Sequence, residues 1–145
     1  MISIRKCKKD DLKELIKIEK QSFPSPYPDD LMKYFVKNKN SISLVAEIEN
    51  EIIGYIFAVL KKGDDGHIVS IAVAPSHKRN KIGGALLNQV IKIFKLNSAN
   101  KVVLEVRTTN DDAISFYKKF GFEIKGTLKD YYDGREDAYK MELPL

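Results

Sequence analysis

Apolar residues recur along the chain at two spacings, and the changes between them divide the chain into strands and helices. Alternating apolar and polar residues are typical of half-buried strands, whereas apolar residues spaced by three and four are typical of helices that bury one face. The pattern predicts strands at 2–5, 43–48, 52–60, 67–74, 101–107, 122–126 and 138–143. A polar loop at 127–137 is expected between the last two strands.

The helical spacing also predicts four helices. Asp10 or Asp11 can cap the first helix, and a second helix follows the stiff proline-rich loop 23–28. The third helix, 82–96, carries the clearest apolar stripe. Asn110 or Asp111 can cap the fourth helix, which Gly121 terminates.

The order of these elements predicts one α+β domain that spans residues 1–145. Strands 43–48, 52–60 and 67–74 form an antiparallel meander in the simplest interpretation, and strand 67–74, helix 82–96 and strand 101–107 form a parallel strand-helix-strand unit. The sequence shows no internal repeat, low-complexity tract or linker. We therefore expect a central mixed, mostly antiparallel sheet flanked by about four helices.

Composition narrows the class of protein. The 145 residues are 43% apolar and 31% charged, which is typical of a globular domain. No apolar run approaches the roughly 20 residues that cross a bilayer, and the first residues lack the pattern of a secretory signal. Cys7 is the only cysteine, so no internal disulfide can form, and we expect a cytoplasmic protein. The net charge of +5 favours an anionic partner.

The densest basic segment, 77–81, lies between a predicted strand and a predicted helix. The first amides of a helix lack internal partners and the helix dipole is positive there, so such a turn suits a pyrophosphate. Lys78, Arg79 and Lys81 would add charge, and Gly83 and Gly84 would let the backbone approach closely. The segment could equally be a solvated basic loop that leads into a core helix.

This turn resembles the coenzyme A signature of the GNAT superfamily of N-acetyltransferases. In that signature an Arg or Gln is followed three residues later by Gly, and two residues after that by Gly or Ala. Lys78, Lys81 and Gly83 occupy these positions, so two of the three depart from the usual residue types. Lys78 keeps the charge but lacks the planar fork of arginine. A side chain at position 81 is expected to require a negative φ and to point outward.

The resemblance covers nearly the whole chain and is closest to the enzymes of archaeal and eukaryotic type that acetylate protein N-termini. Segment 67–87 resembles their Gly-His-hydrophobic-Ser-hydrophobic-Ala-Val segment together with the turn that follows it. The later matching positions are 103–107, Asn110, Ala113, Tyr117, Tyr131, Tyr132 and 136–139.

The resemblance implies a GNAT acyl-CoA N-acyltransferase fold and transfer of acetyl from acetyl-CoA to the α-amino group of protein N-termini. The amine attacks the thioester directly in a ternary complex, so neither a nucleophilic Ser or Cys nor a metal is required. An α-amine with a pKa of about 7.7–8.0 is roughly one-tenth neutral at neutral pH, whereas a lysine amine with a pKa of about 10.4 is almost fully charged. An N-terminal substrate therefore needs only a weak base.

Contacts with the cofactor are implied at three places. The strand backbone of Ile71, Ala72 and Val73 would bond the pantetheine arm. The side chain of Asn110 would contact the same arm, and it can cap a helix as well. The turn and the helix start would hold the diphosphate through Lys78, Arg79, Asn80, Lys81, Ile82, Gly83, Gly84 and Ala85.

Three residues are candidates for proton transfer. The resemblance implies Glu105 as the base and His67 as its partner, on adjacent strands where the thioester inserts. It places Tyr117 near the sulfur, where a phenol can protonate the leaving thiolate. From the residues alone, Glu105 and Arg107 could form a solvated ion pair, His67 could cap a strand, and Tyr117 could be a core aromatic residue.

Two aromatic segments are implied to form the walls of a peptide site. Ser25 stands where some relatives carry an acidic residue, so their preference for the first substrate residue does not carry over. From the residues alone, the second segment could belong to a surface loop. The wall residues are Phe23, Pro24, Ser25 and Tyr27 on one side, and Tyr131 and Tyr132 on the other.

Other functions stay open on the sequence. The same fold could acetylate a lysine side chain, a polyamine or a small-molecule amine, and a degenerate turn could leave a non-catalytic coenzyme A-binding module. Specific nucleic-acid binding has little support, because no aromatic-interleaved basic strand or helix-turn-helix pattern is present. The resemblance is compatible with ribosome association, and with a monomer or a weak dimer.

Overall fold

A seven-stranded sheet forms the centre of the computed structural model, which describes residues 1–60, 64–78, 81–132 and 136–145. The strands are β1 Ile2–Lys6, β2 Ser41–Ile48, β3 Glu51–Leu60, β4 Asp65–Val73, β5 Lys101–Arg107, β6 Glu123–Tyr132 and β7 Glu136–Pro144. They follow the order β1-β2-β3-β4-β5-β7-β6, and of the strand pairs in the described ranges only β4 and β5 are parallel. The prediction of a mixed, mostly antiparallel sheet is confirmed.

Four α-helices in the described part of the chain cover the two faces of this sheet, as predicted. On one face, a core that includes Leu15, Met32 and Phe57 joins the first two helices to β3. On the other face, Leu86 and Phe94 belong to a second core that holds the last two helices. None of these helices is long and apolar enough to span a membrane. The bounds are α1 Leu12–Ser22, α2 Asp29–Lys37, α3 Ile82–Leu96 and α4 Asp111–Lys119.

The cap of α1 differs from the expectation. Asp11 stands at the N-cap position, but its carboxylate makes no capping bond to the helix. It accepts two bonds from the Arg5 guanidinium, at 2.7 and 2.9 Å, and one from the amide of Lys8 at 2.6 Å. These bonds hold the pKa of Asp11 below its usual value, chiefly through the contact with Arg5. The residue therefore ties the start of α1 to β1.

The closing hairpin is longer than the sequence pattern predicts. Segment 127–137 was expected to be a polar loop, yet β6 continues to Tyr132 and β7 begins at Glu136. Because β6 is the outer strand of the sheet, nearly all of its residues are exposed. A strand exposed along its length needs no alternation of apolar residues, so hydrophobic periodicity does not reveal it.

The parallel strands β4 and β5 part soon after they meet. Their register runs from Asp65 opposite Lys101 to His67 opposite Val103, and over the described residues the rest of each strand continues without pairing with the other. Before the gap the contact with α3 is very close, since a Cβ on Gly66 would lie 2.4 Å from the Phe94 ring. A wedge-shaped gap therefore opens just beyond His67.

Candidate active site

The side chains of His67 and Glu105 meet at the point where β4 and β5 part. His67 is the last paired residue of β4, opposite Val103. Because side chains alternate along a strand, Glu105 points to the same side as Val103. Nε2 of His67 lies 2.8 Å from Oε1 of Glu105, and both side chains are about one-fifth exposed, at 22% and 18%. The predicted pair is thus in direct contact and partly shielded from water.

Tyr131 completes this group from the end of β6. Its hydroxyl donates to Oε1 of Glu105 at 3.3 Å. Burial, followed by the charge of Glu105, raises the pKa of the Tyr131 phenol, so the phenol keeps its proton at neutral pH. One carboxylate oxygen therefore contacts both an imidazole and a phenol.

Tyr27 approaches the same group from the opposite wall. Its hydroxyl donates to the backbone carbonyl of Val69 at 3.2 Å. Val69 is the extra residue of a bulge in β4, since Phe57 pairs with Ser70 and Ala58 pairs with Ile68. Burial raises the pKa of Tyr27 to about 12, with further contributions from Tyr131, Glu19 and Glu105. Tyr27 is therefore a neutral phenol fixed to the strand that carries His67.

Arg107 holds the second wall tyrosine. Its guanidinium carbon lies 4.1 Å from the centroid of the Tyr132 ring, and Nη1 donates to Oε2 of Glu136 at 2.7 Å. The Tyr131 and Tyr132 rings meet edge to face at 4.9 Å. Burial raises the pKa of Tyr132 as well. Arg107 therefore supports the aromatic wall, and among the described ion pairs its carboxylate partner is Glu136 and not Glu105.

The other predicted wall residues differ in exposure. Phe23 is half-buried and packs against the core under α1 and α2. Pro24 and Ser25 are exposed. The described contacts therefore give Phe23 a packing role, and leave Pro24 and Ser25 at the surface beside Tyr27.

Tyr117 lies on the buried face of α4. Its ring packs against Phe116 at 5.2 Å and Phe122 at 5.5 Å, and only 7% of the residue is exposed. Burial, with a smaller contribution from Tyr132, raises the pKa of its phenol. Tyr117 is therefore a core aromatic residue and a persistently protonated phenol at the same time.

Asn110 caps α4, as one of the two predicted capping residues. Its side-chain oxygen accepts a hydrogen bond from the amide of Ala113 at 3.2 Å. The amide nitrogen of the same side chain is a donor that the cap does not use. A cap and a contact with a ligand are thus compatible.

The turn before α3 places Lys81 in an unusual conformation. Lys81 is the N-cap residue, with φ of 61° and ψ of 19°. The expectation of a negative φ at this position was wrong. In the left-handed region the Cβ of an L-residue crowds the backbone, and glycine avoids this cost. The side chain is exposed, as expected, so the unusual feature of Lys81 lies in its backbone.

The start of α3 leaves several amides at an open end. Among the described residues, Ala85 is the first of the helix whose amide donates back, to the carbonyl of Lys81 at 3.1 Å. The amides of Ile82, Gly83 and Gly84 precede it, and amides in this position lack intrahelical partners. The side chain of Ile82 is buried in the core, so only its backbone is available to a ligand.

The missing side chains of the two glycines face α4. A Cβ on Gly83 would meet the Phe116 ring at 3.4 Å, and one on Gly84 would meet the Phe120 ring at 3.3 Å. The glycines therefore let α3 pack closely against α4. Lys78 is exposed beside this turn, whereas Arg79 and Asn80 lie outside the described residues.

The strand segment Ile71, Ala72 and Val73 borders the gap. These residues pair with β3 on one side, and over the described residues they have no partner on β5. A strand edge without a partner offers amides and carbonyls to a ligand. This segment thus presents backbone to the space between the parted strands.

Glu19 is a site feature that the sequence analysis missed. It is 2% exposed and accepts the amide of Tyr27 at 2.9 Å through Oε2. A signal was present, because Leu15, Ile18, Glu19 and Ser22 follow the helical spacing and a carboxylate therefore stands on the apolar face of α1.

Comparison with known proteins identifies the family. The sequence model of the acetyltransferase (GNAT) family matches residues 12–122. An N-alpha-acetyltransferase of Sulfurisphaera tokodaii is 37% identical, over 98% of this chain and 92% of its own. The Ard1 structure of Thermoplasma volcanium superimposes with a TM-score of 0.93 at 27% identity, over 99% and 97% of the two chains. Arabidopsis thaliana Naa50, in complex with the bisubstrate analogue CoA-Ac-MVNAL, has a TM-score of 0.87 at 28% identity, over 99% of both chains.

The family model covers most of the chain, and both the gap between β4 and β5 and the turn before α3 lie within its matched residues. The predictions of the family, of its fold and of an acetyltransferase are confirmed. This chain belongs to the GNAT family of acetyltransferases.

Proposed function

We propose that this protein transfers an acetyl group from acetyl-CoA to the α-amino group of protein N-termini. The proposal depends mainly on one observation, the contact between His67 and Glu105 at the mouth of the gap, with the Tyr131 phenol on the same carboxylate. This arrangement offers a proton acceptor and a neutral donor within a short distance of each other. An amine that has to lose one proton needs such an acceptor.

The described residues fit acetyl-CoA. The open amides at the start of α3 and the positive end of its dipole suit a diphosphate, and the exposed Lys78 and Lys81 add charge beside them. The unpaired edge of Ile71 to Val73 suits an extended pantetheine arm, and the side chain of Asn110 can donate to the same arm. When bound, acetyl-CoA supplies an activated acetyl group that an amine can accept directly.

Glu105 and His67 take the proton of the amine. Glu105 is the acceptor, and Nε2 of His67 at 2.8 Å can hold or pass on the proton. An imidazole is suited to this role because one of its ring nitrogens can accept a proton while the other donates one. An α-amine with a pKa of about 7.7–8.0 needs no stronger base than this pair.

Tyr117 supplies a proton to the departing sulfur. Its phenol stays protonated because burial raises its pKa, and it lies on the buried face of α4. A neutral hydroxyl can donate to a developing thiolate without an added charge in the site.

The peptide lies between two aromatic walls. Tyr27 stands on one side, and Tyr131 and Tyr132 stand on the other, where Arg107 supports them. Phe23, Pro24 and Ser25 continue the first wall. The choice of a protein N-terminus is supported by the Sulfurisphaera tokodaii relative, which is an N-alpha-acetyltransferase, and by the bisubstrate analogue CoA-Ac-MVNAL on Naa50.

We further propose that residues 1–145 form a single catalytic domain that is monomeric or weakly dimeric. Ribosome association and a cytoplasmic location stay predictions. Sedimentation of the protein with and without ribosomes measures both the oligomeric state and the association. A protein that stays in the supernatant at low salt would count against ribosome association.

An acetyl-transfer assay tests the proposed function. The acceptors are peptides with free N-termini, peptides with a blocked N-terminus and a free lysine, and polyamines. We expect acetylation of the free N-termini, with the product mass shift located on the first residue. Equal or faster transfer to lysine peptides or polyamines would contradict the assignment of protein N-termini as the acceptor. Coenzyme A binding without transfer to any acceptor would indicate a non-catalytic module.

A further inference from the structure

A buried carboxylate connects α1 to the peptide site. Glu19 lies on the apolar face of α1 and is 2% exposed. No salt bridge within the described residues involves this carboxylate, so hydrogen-bond donors alone compensate its burial. A buried acidic group held in this way is costly unless each oxygen is satisfied. The presence of this carboxylate on an apolar helix face points to a role beyond packing.

Glu19 joins three elements that surround the site. Oε2 accepts the amide of Tyr27 at 2.9 Å, in the loop between α1 and α2. Oε1 accepts the hydroxyl of Tyr55 on β3 in a short hydrogen bond, and the hydroxyl of Ser70 on β4 at 3.3 Å. Tyr55 and Ser70 also lie 3.1 Å from each other. Ser70 directly follows the bulge residue Val69 on the strand of His67.

The loop has few other means of attachment. Pro24, Pro26 and Pro28 lack an amide hydrogen, so between positions 24 and 28 only Ser25 and Tyr27 carry a backbone donor. The donor of Tyr27 is the one that reaches Glu19. The phenol of the same residue donates to the carbonyl of Val69 at 3.2 Å. Tyr27 is therefore fixed at its backbone by α1 and at its side chain by β4.

We propose that Glu19 is a positioning residue for the peptide substrate. It acts through Tyr27, whose distance from Glu105 and Tyr131 it sets by holding the loop against the bulged strand. The inference rests on the proposed function, because it assigns Tyr27 to the wall of the peptide site. Loss of the anchor lets the wall move away from the acceptor peptide, while the turn before α3 is unaffected.

Two substitutions of similar length separate anchoring from packing. Glu19→Met removes both acceptors and keeps an apolar side chain of comparable length. Glu19→Gln keeps one acceptor oxygen for the amide of Tyr27, while its NH₂ group can donate to the Tyr55 hydroxyl, which is able to accept. The first variant thus breaks the anchor, and the second preserves it without the charge.

The kinetic experiment measures KM for a peptide and for acetyl-CoA in each variant. We expect Glu19→Met to raise the peptide KM by about tenfold, which corresponds to about 1.4 kcal/mol. Its kcat and its KM for acetyl-CoA should stay close to the wild-type values, and Glu19→Gln should restore most of the peptide KM. Ser43→Ala is the matched control, since it removes a buried hydroxyl that donates to the carbonyl of Phe35 at 2.8 Å, away from the site. This control should leave both KM values unchanged.

An unchanged peptide KM in Glu19→Met, or an equal rise in both KM values, overturns the proposal. If that variant does not fold, amide hydrogen exchange of Tyr27 decides between the outcomes. A protected amide in the wild type and in Glu19→Gln supports the anchor, and rapid exchange in the wild type overturns it. A wild-type protein without acetyl transfer to any peptide refutes the proposed function instead, and the exchange measurement still tests the anchor.

Discussion

The two halves of the site are built in different ways. On the acceptor side, defined here as His67, Glu105, Tyr27, Tyr131 and Tyr132, side chains from several elements bond to one another and to the backbone. On the donor side, defined here as the turn before α3 with Lys78 and Lys81, the described groups are main-chain amides and exposed cations. One half depends on side-chain geometry, and the other depends on the course of the backbone.

This difference agrees with the chemistry of each half. A proton moves only between atoms held within hydrogen-bond distance, so the acceptor side requires side chains in defined positions. A diphosphate is bound by several amides and a diffuse positive field, so the identity of any one side chain matters less. Two of three signature positions can therefore depart from their usual residues on the donor side. We expect substitutions to affect turnover on the acceptor side and to have small effects on the donor side.

The largest effect is expected for Glu105→Gln. The amide cannot accept the proton of the amine, so we expect kcat to fall by about 10²-fold or more. The affinity for acetyl-CoA should change little, because Glu105 is not assigned to cofactor binding. Steady-state kinetics and calorimetric titration of coenzyme A measure the two quantities separately. His67→Ala should also lower kcat and leave the affinity for acetyl-CoA unchanged, but its loss of kcat should be smaller.

Glu142→Gln is the control for a lost carboxylate on the same sheet. Glu142 pairs with Lys101 at 3.2 Å and with Lys140 at 3.5 Å, and it lies on β7, which β5 separates from β4. Its replacement should leave kcat unchanged. Full turnover of both Glu105→Gln and His67→Ala between pH 6 and 9 would refute the assigned proton acceptor. It would also refute the contrast drawn between the acceptor side and the donor side.

A smaller loss is expected for Tyr131→Phe. This change removes the 3.3 Å bond to Glu105 but keeps the ring that contacts Tyr132. One hydrogen bond to a charged group contributes about 1.5–3 kcal/mol when buried, and since Tyr131 is partly exposed we expect a loss in kcat/KM of about fivefold. Tyr34→Phe, on the exposed face of α2, is the matched control. A Tyr131→Phe variant as active as the control would show that the phenol has no part in the site.

On the donor side, Lys81→Gly should increase stability. Glycine adopts the φ of 61° without the crowding that a Cβ causes, so we expect a gain of about 1 kcal/mol in the free energy of unfolding. Coenzyme A binding should be retained or become tighter. Lys81→Ala is the matched variant, because it removes the same charge and keeps the Cβ. Denaturant unfolding should therefore rank Gly above Ala, and a large loss of coenzyme A affinity in Lys81→Gly alone would contradict the alignment of this turn.

The smallest effect concerns alkaline pH. The pKa of Tyr27 is raised to about 12, whereas an unfolded tyrosine ionises near pH 10. The unfolded state therefore releases a proton that the folded state keeps, and stability is lost as the pH rises above about 10. Tyr27→Phe should lessen the fall in melting temperature between about pH 9 and pH 11 by roughly 2 °C. An equal fall in both proteins would show that Tyr27 is not buried as described.

How well each helix or strand could be predicted from the sequence depends on how much of it is buried. Helix α3 and strand β5 were predicted with their observed bounds, because each buries an apolar pattern of one clear period. For most of strand β6 the pattern predicts a loop, since an exposed outer strand carries no such period. The predicted capping bond of Asp11 is wrong, because the carboxylate of Asp11 bonds to Arg5 instead. Arg5 lies outside the apolar pattern that predicts the helix, so the pattern does not indicate this contact.

The residues of the candidate site were predictable at positions that the family resemblance supplied. They were less predictable where a role depends on the backbone angle or on contacts between residues far apart in the sequence. His67 and Glu105 were predicted on adjacent strands, and the structure brings them into contact. The backbone angle of Lys81 could not be derived from its side chain, although the glycine usual at that position was a signal. Glu19 was not predicted, because a single carboxylate in an apolar helical stripe looks like an interruption of that stripe. Its partners are also distant in the sequence.

The distribution of aromatic residues has a practical consequence. The chain contains seven tyrosines and no tryptophan, and Tyr27, Tyr131 and Tyr132 contact residues of the parted strands β4 and β5. The ultraviolet emission of the unlabelled protein therefore includes a contribution from the neighbourhood of the reacting groups. A ligand that separates the Tyr131 phenol from its carboxylate partner should brighten that emission, so occupancy can be followed optically without any attached dye.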